Sequence, residues 1–225
     1  MTGIHALVPL KPASLAKSRL AVLLDEAERA TLASLMARDV LAALRAARRL
    51  DRIVITAGDE ASAALAREFD CTLWQDPPGA GLRASVQAAL DRLHQEGAAG
   101  ALVVPADLPA LAAADVDTLL TAHRGGLSLV RAASDGGTNA LLLTPPGAVP
   151  CQFGPDSARL HLEAAAARSV HAVSLELTGF ARDLDTVDDV RWLCAQPCGG
   201  EARQYLLDHA IPARMARADD ARRDA

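Results

Sequence analysis

The chain has 225 residues, of which 51% are hydrophobic, 23% charged and 3% aromatic, with a formal net charge of −5. That balance fits a soluble globular protein of about one full domain and excludes wholesale disorder. A net negative chain with few aromatics offers neither the basic field nor the stacking surface of a nucleic-acid binder, and no apolar stretch approaches the ~18 residues of a membrane span.

A strand is predicted at 4–10 and a helix over 26–48, followed by the pairs 52–57 and 59–68, 71–74 and 82–96, and 101–106 and 113–123. Several of the strand runs are continuously apolar, as expected of strands covered on both faces, and the helices carry amphipathic Ala/Leu patterns. Two apolar runs then follow without a helix between them, 127–133 and 139–144; with SDGGT at their junction they predict a β-turn-β element. A helix over 156–168, a strand at 171–177 and helices over 187–196 and near 201–209 complete the pattern. Asp115 or a neighbour, Asp156, and Asp185 or Thr186 are the expected N-caps. This alternation predicts an α/β three-layer sandwich on a mainly parallel sheet. The sequence after Pro212, ARMARADDARRDA, has little to bury, so the domain is expected over 1–211 and a flexible tail over 212–225. The N-terminal MTGIHALVPLKP lacks the basic stretch and long apolar run of a secretion signal, and Cys71, Cys151, Cys194 and Cys198 read as reduced thiols of a cytoplasmic protein.

Ligands of open α/β sheets bind beyond the carboxyl ends of the strands, so the loops there carry the candidate chemistry. Of 23 lysines and arginines only Lys11 and Lys17 are lysines, and both fall in the loop after the first strand with Ser18 and Arg19. Cations and a hydroxyl on one loop suit a polyphosphate, although the glycines of a Walker loop are missing and a solvated basic loop is the alternative. Asp107, between Pro105 and Pro109 after a buried strand, could hold a hard cation such as Mg²⁺ or cap a turn. Asp183 and Asp185 share a face if RDLDTVDDV is extended, and paired carboxylates without a lysine nearby are costly to gather without a metal. Asp185 or Thr186 could instead cap the next helix, with Asp188 and Asp189 as favourable first-turn acids.

Asp135, Thr138 and Asn139 lie on the SDGGTNA turn, and Gly154, Asp156 and Ser157 open a helix, where free N–H groups favour an anion. His161, one turn into that helix, is the histidine nearest a candidate site. GAGLRA at 79–84 matches a dinucleotide fingerprint, but its loop is longer than that motif's tight turn and Asp107 lies too far downstream. The same loop could contact a nucleotide's ribose or base.

With VPLKPASLAKSRL, VVPADLP, DGGTNALLL, FGPDSARLH and DLDT in this order, from about residue 4 to 195, the chain resembles the CofC family of guanylyltransferases. These act early in biosynthesis of the deazaflavin coenzyme F-420, within the nucleotidyltransferases that include the molybdenum-cofactor guanylyltransferases. The resemblance implies a Rossmann-like sandwich with a mixed sheet, of the nucleotide-diphospho-sugar transferase type. It implies transfer of GMP from GTP to phosphoenolpyruvate, 3-phospho-D-glycerate or 2-phospho-L-lactate, releasing pyrophosphate. By position, Lys11, Lys17 and Arg19 would hold the triphosphate, with Gly79 and Gly81 on the nucleotide loop. Asp107, Asp183 and Asp185 would bind Mg²⁺, as two ions, and Thr138, Gly154 and Ser157 would hold the acceptor's phosphate or carboxylate. Arg83 stands where the resemblance leads us to expect Asn, and could clamp a carboxylate bidentately. The implied partners are small molecules, with no nucleic acid or membrane, and a homodimer is compatible.

Two other readings stay open at this level. One is a nucleotidyltransferase for a molybdopterin or sugar phosphate, although the LxGGxGxR loop of those relatives is absent. The other is a non-catalytic dinucleotide-binding module resting on GAGLRA.

Overall fold

The computed structural model describes residues 3–10, 17–197 and 199–223. The apolar runs form β1 (Ile4–Pro9), β2 (Arg52–Ala57), β3 (Thr72–Gln75), β4 (Gly100–Val103), β5 (Gly126–Arg131), β6 (Thr138–Thr144) and β7 (Ala172–Leu175). Among the described residues they make one sheet in the order β3-β2-β1-β4-β6-β5-β7. β1 pairs parallel with β2 and β4, β2 with β3, and β5 with β7. Only β6 runs the other way, antiparallel to β4 and β5. The expected mixed, mainly parallel sheet is therefore present, and the two runs around SDGGT are a hairpin with an irregularity at Val130/Arg131. β5 can begin beside β7 because residue 126 is glycine: its φ is +73°, and a Cβ there would lie 2.3 Å from the His171 carbonyl oxygen.

Helices α1 (Glu26–Ala46), α2 (Glu60–Glu68), α4 (Ala113–Ala122) and α6 (Thr178–Ala181) cover one face, and α3 (Leu82–Gln95) and α5 (Ser157–Ala167) the other. Val40, Leu41, Leu44, Leu119 and Phe180 pack against Val8, Ile55, Leu102 and Leu142 on the first face. Val86, Leu90, Leu93 and Ala165 pack against Leu7, Val54, Val103 and Leu141 on the second. Successive strand residues thus feed opposite layers, as the twofold period of a strand requires. A third cluster uses the far side of α1, where Leu32 and Met36 meet residues of α7 (Val187–Ala195), α8 (Glu201–Asp208) and α9 (Ile211–Arg223). A reciprocal capping box fixes the start of α1, with Glu28 N donating to Asp25 Oδ1 (2.8 Å) and Asp25 N donating to Glu28 Oε2 (2.9 Å). Among the described residues no helix is long and apolar enough to cross a membrane.

Three sequence expectations change in detail. β4 stops at Val103, because Pro105 has no N–H; Val104 N makes the last bond, to Leu7 O at 3.0 Å. The cap of α4 is Ala112, and Asp115 lies inside the first turn, accepting from Ala112 N. The segment after 211, expected to be a tail, continues as α9. Pro212 fits a first helical turn, where no N–H is needed. Ile211 and Met215, one turn apart, are buried in the third cluster, and Arg214 pairs with Glu28. Two apolar residues are too sparse a pattern to announce a helix, yet they suffice to dock one. Met215→Ala should lower the unfolding free energy by about 2 kcal/mol in a urea titration, as removal of a buried methionine does. An unchanged midpoint would mean that α9 contributes nothing to the folded core.

Candidate functional site

The strand order reverses between β1 and β4: the chain runs from β1 to β2 on one side of the pair and from β4 to β5 on the other. A crevice opens beyond their carboxyl ends at such a switch point. Here it is a cavity of about 240 Å³ whose lining includes Leu10, Lys17, Leu82, Asp107, Phe153 and Asp185. Lys17 arrives from the loop after β1, Asp107 from the loop after β4, and Asp185 from the segment ahead of α7.

Lys17 is the centre of this arrangement. Its Nζ donates to Asp107 Oδ2 at 2.7 Å and to Asp185 Oδ1 at 2.6 Å, and its side chain is only 6% exposed. Burial opposes a charge there, but the two carboxylates outweigh it and hold the ammonium above the ordinary lysine value. An ammonium has three N–H donors, so one remains after these two bonds. Lys17 has a left-handed backbone (φ 56°, ψ 40°) and leads into a short 3-10 helix, Ser18–Val22.

The third acid joins through the backbone. Leu184 N donates to the carbonyl of Asp107 at 3.0 Å, which sets residues 183–185 alongside the β4 loop. Leu184 is buried in the third core cluster, while an oxygen from each of Asp107, Asp183 and Asp185 lies within 4.8 Å of the others. The alternate positions therefore do share a face. Burial first, and then the charge of Asp107, push the Asp183 carboxyl above the usual carboxylate range. Asp107 Oδ1 and Asp183 Oδ1 are buried and have no partner among the described residues. Three carboxylates against one ammonium leave net negative charge, and two orphaned oxygens leave ligand capacity. This hard-oxygen set fits a divalent cation such as Mg²⁺.

Of the capping alternatives the Thr186 one holds, and neither Asp107 nor Asp185 caps a turn or helix. Thr186 is the N-cap of α7, in a capping box with Asp189. Asp189, buried, accepts from Asp185 N (3.1 Å), Thr186 N (2.7 Å), Thr186 Oγ1 (2.7 Å) and Arg182 Nε (2.7 Å). Burial works against its charge, but these hydrogen bonds prevail and lower its pKa. Asp189 thus holds the backbone of the residue whose side chain reaches Lys17. Its role was hidden behind the reading of a first-turn acid, although Thr186-x-x-Asp189 is a capping-box pattern that could have revealed it.

A second group of residues lies at the same edge because β6 is antiparallel. Val103 at the end of β4 pairs with Leu141, so β6 begins where β4 finishes. Ser157 Oγ donates to Thr138 Oγ1 at 3.0 Å, and His161 Nδ1 lies 3.2 Å from the same oxygen. Gln152 N donates to His161 Nε2 at 2.9 Å. Phe153, which lines the cavity, meets the His161 ring edge-on at 5.3 Å between centroids. Burial drops the His161 pKa to about 4. Gly154 has φ 140°, a conformation suited to glycine, with open space where a Cβ would stand. Asp156 occupies the N-cap of α5 without capping it, and its carboxylate goes to Arg159 instead.

Arg83 and Gln87, one turn apart on α3, grip the two backbone groups of Cys151. Arg83 Nε donates to Cys151 O at 2.9 Å, and Cys151 N donates to Gln87 Oε1 at 2.8 Å. They anchor the loop leading to Gly154. The sequence separation of more than 60 residues hid this contact.

The remaining candidates divide. Lys11 lies outside the described residues. Ser18 and Arg19 are exposed on the 3-10 helix and do not line the cavity. Gly79 has φ +71° in the loop before α3, and Gly81 is the N-cap of that helix, whose Leu82 lines the cavity. GAGLRA follows β3, an edge strand, rather than the central strand at the switch point that a dinucleotide fingerprint would follow. Asp135 closes its own turn by accepting from Gly137 N at 2.8 Å. Asn139 is buried, with Nδ2 lacking a partner among the described residues.

Comparison with known proteins agrees with this architecture. Residues 4–225 match the family model described as Guanylyl transferase CofC like. A phosphoenolpyruvate guanylyltransferase of Rubrobacter xylanophilus is 42% identical over 191 residues, covering 84% of this chain and 92% of the relative. A 3-phospho-D-glycerate guanylyltransferase of Phenylobacterium zucineum is 34% identical over 197 residues, covering 86% and 90%. Among solved structures, a Desulfovibrio desulfuricans G20 protein assigned as a nucleotide-diphospho-sugar transferase superposes with a TM-score of 0.79 at 17% identity, over 95% of this chain and 99% of that one. At that identity the likeness speaks for the fold alone. The family match over nearly the whole chain, with relatives this similar, shows that the protein belongs to the CofC-like guanylyl transferase family.

Proposed function

We propose that this chain transfers GMP from GTP to the phosphate of a phosphorylated three-carbon acid, phosphoenolpyruvate or 3-phospho-D-glycerate, and releases pyrophosphate early in coenzyme F-420 assembly. The observation that carries the reading is one sheet edge bearing two complementary halves. One is the Lys17 ammonium among Asp107, Asp183 and Asp185; the other is the Thr138–Ser157 hydroxyl pair beside Gly154. The names of the similar enzymes supply the two acceptors.

The chemistry follows from charge. A phosphate monoester has a second pKa near 6, so at neutral pH the acceptor is already largely a dianionic nucleophile and requires no general base. An acceptor oxygen forms a bond to the α-phosphorus, the bond from that phosphorus to the α,β-bridging oxygen breaks, and its electron pair leaves with pyrophosphate. Two polyanions must approach in line, so positioning and charge neutralisation are the main demands on the protein. The free N–H of Lys17 donates to a phosphate oxygen from a point charge held by two carboxylates. Mg²⁺ held by Asp107, Asp183 and Asp185 would neutralise the triphosphate and stabilise the departing pyrophosphate. The Thr138 hydroxyl, which accepts from Ser157 behind it, and the open backbone at Gly154 bind the acceptor's anionic end. Arg83, whose Nε is committed to Cys151, keeps its two terminal nitrogens for a carboxylate nearby.

Incubating the protein with GTP, Mg²⁺ and each acid in parallel, with masses of the products, tests the reading. A guanylylated phosphoenolpyruvate or 3-phosphoglycerate is expected, together with equimolar pyrophosphate; GTP left intact with every acid would overturn it. Asp107→Asn should lower turnover about 100-fold or more, the scale of losing a group that stabilises transition-state charge, while the circular dichroism spectrum stays unchanged. Lys17→Arg should also lower turnover, because a planar fork cannot replace a compact ammonium bridged by two carboxylates. Normal kcat and GTP KM in Lys17→Arg would remove Lys17 from the mechanism.

A further inference from the structure

His161 is fully buried on α5, yet both its ring nitrogens are engaged. The partner of Nε2 is the backbone N–H of Gln152, which can only donate. Nε2 therefore carries the lone pair, and the neutral ring carries its hydrogen on Nδ1. That hydrogen lies between the Ser157 carbonyl, one turn earlier on α5, and Thr138 Oγ1, 3.2 Å away, which also accepts from Ser157 Oγ. Two incoming hydrogens fill the lone pairs of the threonine oxygen. Its own hydrogen must then point away from both, and no acceptor for it is found among the described residues.

We propose that His161 is a positioning residue that sets the polarity of the acceptor site: its Nδ1–H, with the Ser157 hydroxyl, makes Thr138 an obligate hydrogen-bond donor toward an anionic oxygen of the phosphorylated acid. The proposal rests on the reading of Thr138, with Ser157 behind it, as the acceptor-binding hydroxyl. A hydroxyl left to itself rotates and can present a lone pair to an anion, which repels it. The histidine removes that choice before the acceptor arrives. Burial keeps the ring neutral at working pH, with a pKa of about 4, so this polarity does not switch. Because Nε2 is occupied by Gln152, the same ring is also unable to serve as a general base. Its bond to Gln152 and its edge-on contact with Phe153 tie the donor to the loop that carries Gly154.

A double-mutant cycle with a rescue variant tests this. Acceptor KM, GTP KM and kcat are measured for the wild type, Thr138→Val, His161→Gln, the double variant and His161→Asn. Thr138→Val should raise the acceptor KM about tenfold or more, the scale of a lost hydrogen bond to a charged group, with GTP KM unchanged. His161→Gln reaches the Nε2 position without a donor at Nδ1. It should give a similar rise on its own and little further rise in the double variant. His161→Asn places an amide N–H near the Nδ1 position and should recover most of the acceptor affinity. Multiplicative effects in the cycle, an Asn variant no better than Gln, or a parallel rise in GTP KM would each make His161 a packing residue and overturn the proposal. An unchanged acceptor KM in Thr138→Val would overturn the acceptor-site reading and the proposal with it, and so separates the two failures.

Discussion

The site depends on one buried ammonium. Lys17 is joined to Asp107 and Asp185, 90 and 168 residues further along the chain, and through them to the loop after β4 and the segment before α7. Removing that charge would leave closely spaced carboxylates facing one another in a partly buried crevice, an arrangement that is unfavourable without a cation. The left-handed backbone of Lys17 has the same origin. A non-glycine residue adopts this conformation at a cost of roughly 1–2 kcal/mol, and a specific tertiary contact must offset it. Here that contact is the pair of charge-assisted bonds at 2.6 and 2.7 Å.

Topology distributes the rest of the chemistry around this point. The parallel strands β1 and β4 deliver the triphosphate and metal-binding candidates at their carboxyl ends. The antiparallel β6 delivers Thr138 to the same edge at its amino end, so the one antiparallel strand lies beside the β4 loop that carries Asp107. Supporting residues then fix each half from behind. Asp189 holds the backbone of Asp185, while Arg83 and Gln87 hold Cys151 ahead of Gly154. Each support binds backbone rather than a reactive side chain, so the residues facing the cavity keep their remaining donors and acceptors for ligands.

Much of this was legible in the sequence because strand ends and unusual residues coincide. An aspartate fenced by prolines after a continuously apolar strand, and a scarce lysine in the preceding loop of an arginine-rich chain, both sit at positions where an α/β sheet binds ligands. Codon preference can account for many arginines; it does not account for Lys17 in a place where a point charge must touch two carboxylates at once. The contacts that stayed hidden are those with no local signature. Nothing near Arg83 foretells Cys151, and nothing in LHLEAAAA states that the one histidine is wedged between a backbone amide and a threonine hydroxyl. Docking of α9 was hidden for a related reason, since Ile211 and Met215 become meaningful only against the third core cluster on α1, α7 and α8.

We propose above all that the three aspartates beside Lys17 form the cation site of a guanylyl transferase. Anomalous diffraction from crystals grown with Mn²⁺ and a non-hydrolysable GTP analogue addresses it most directly. A manganese peak bonded to oxygens of Asp107, Asp183 and Asp185 is expected, with the triphosphate within reach of Lys17. A manganese peak elsewhere, with the triphosphate bound away from this crevice, would contradict it.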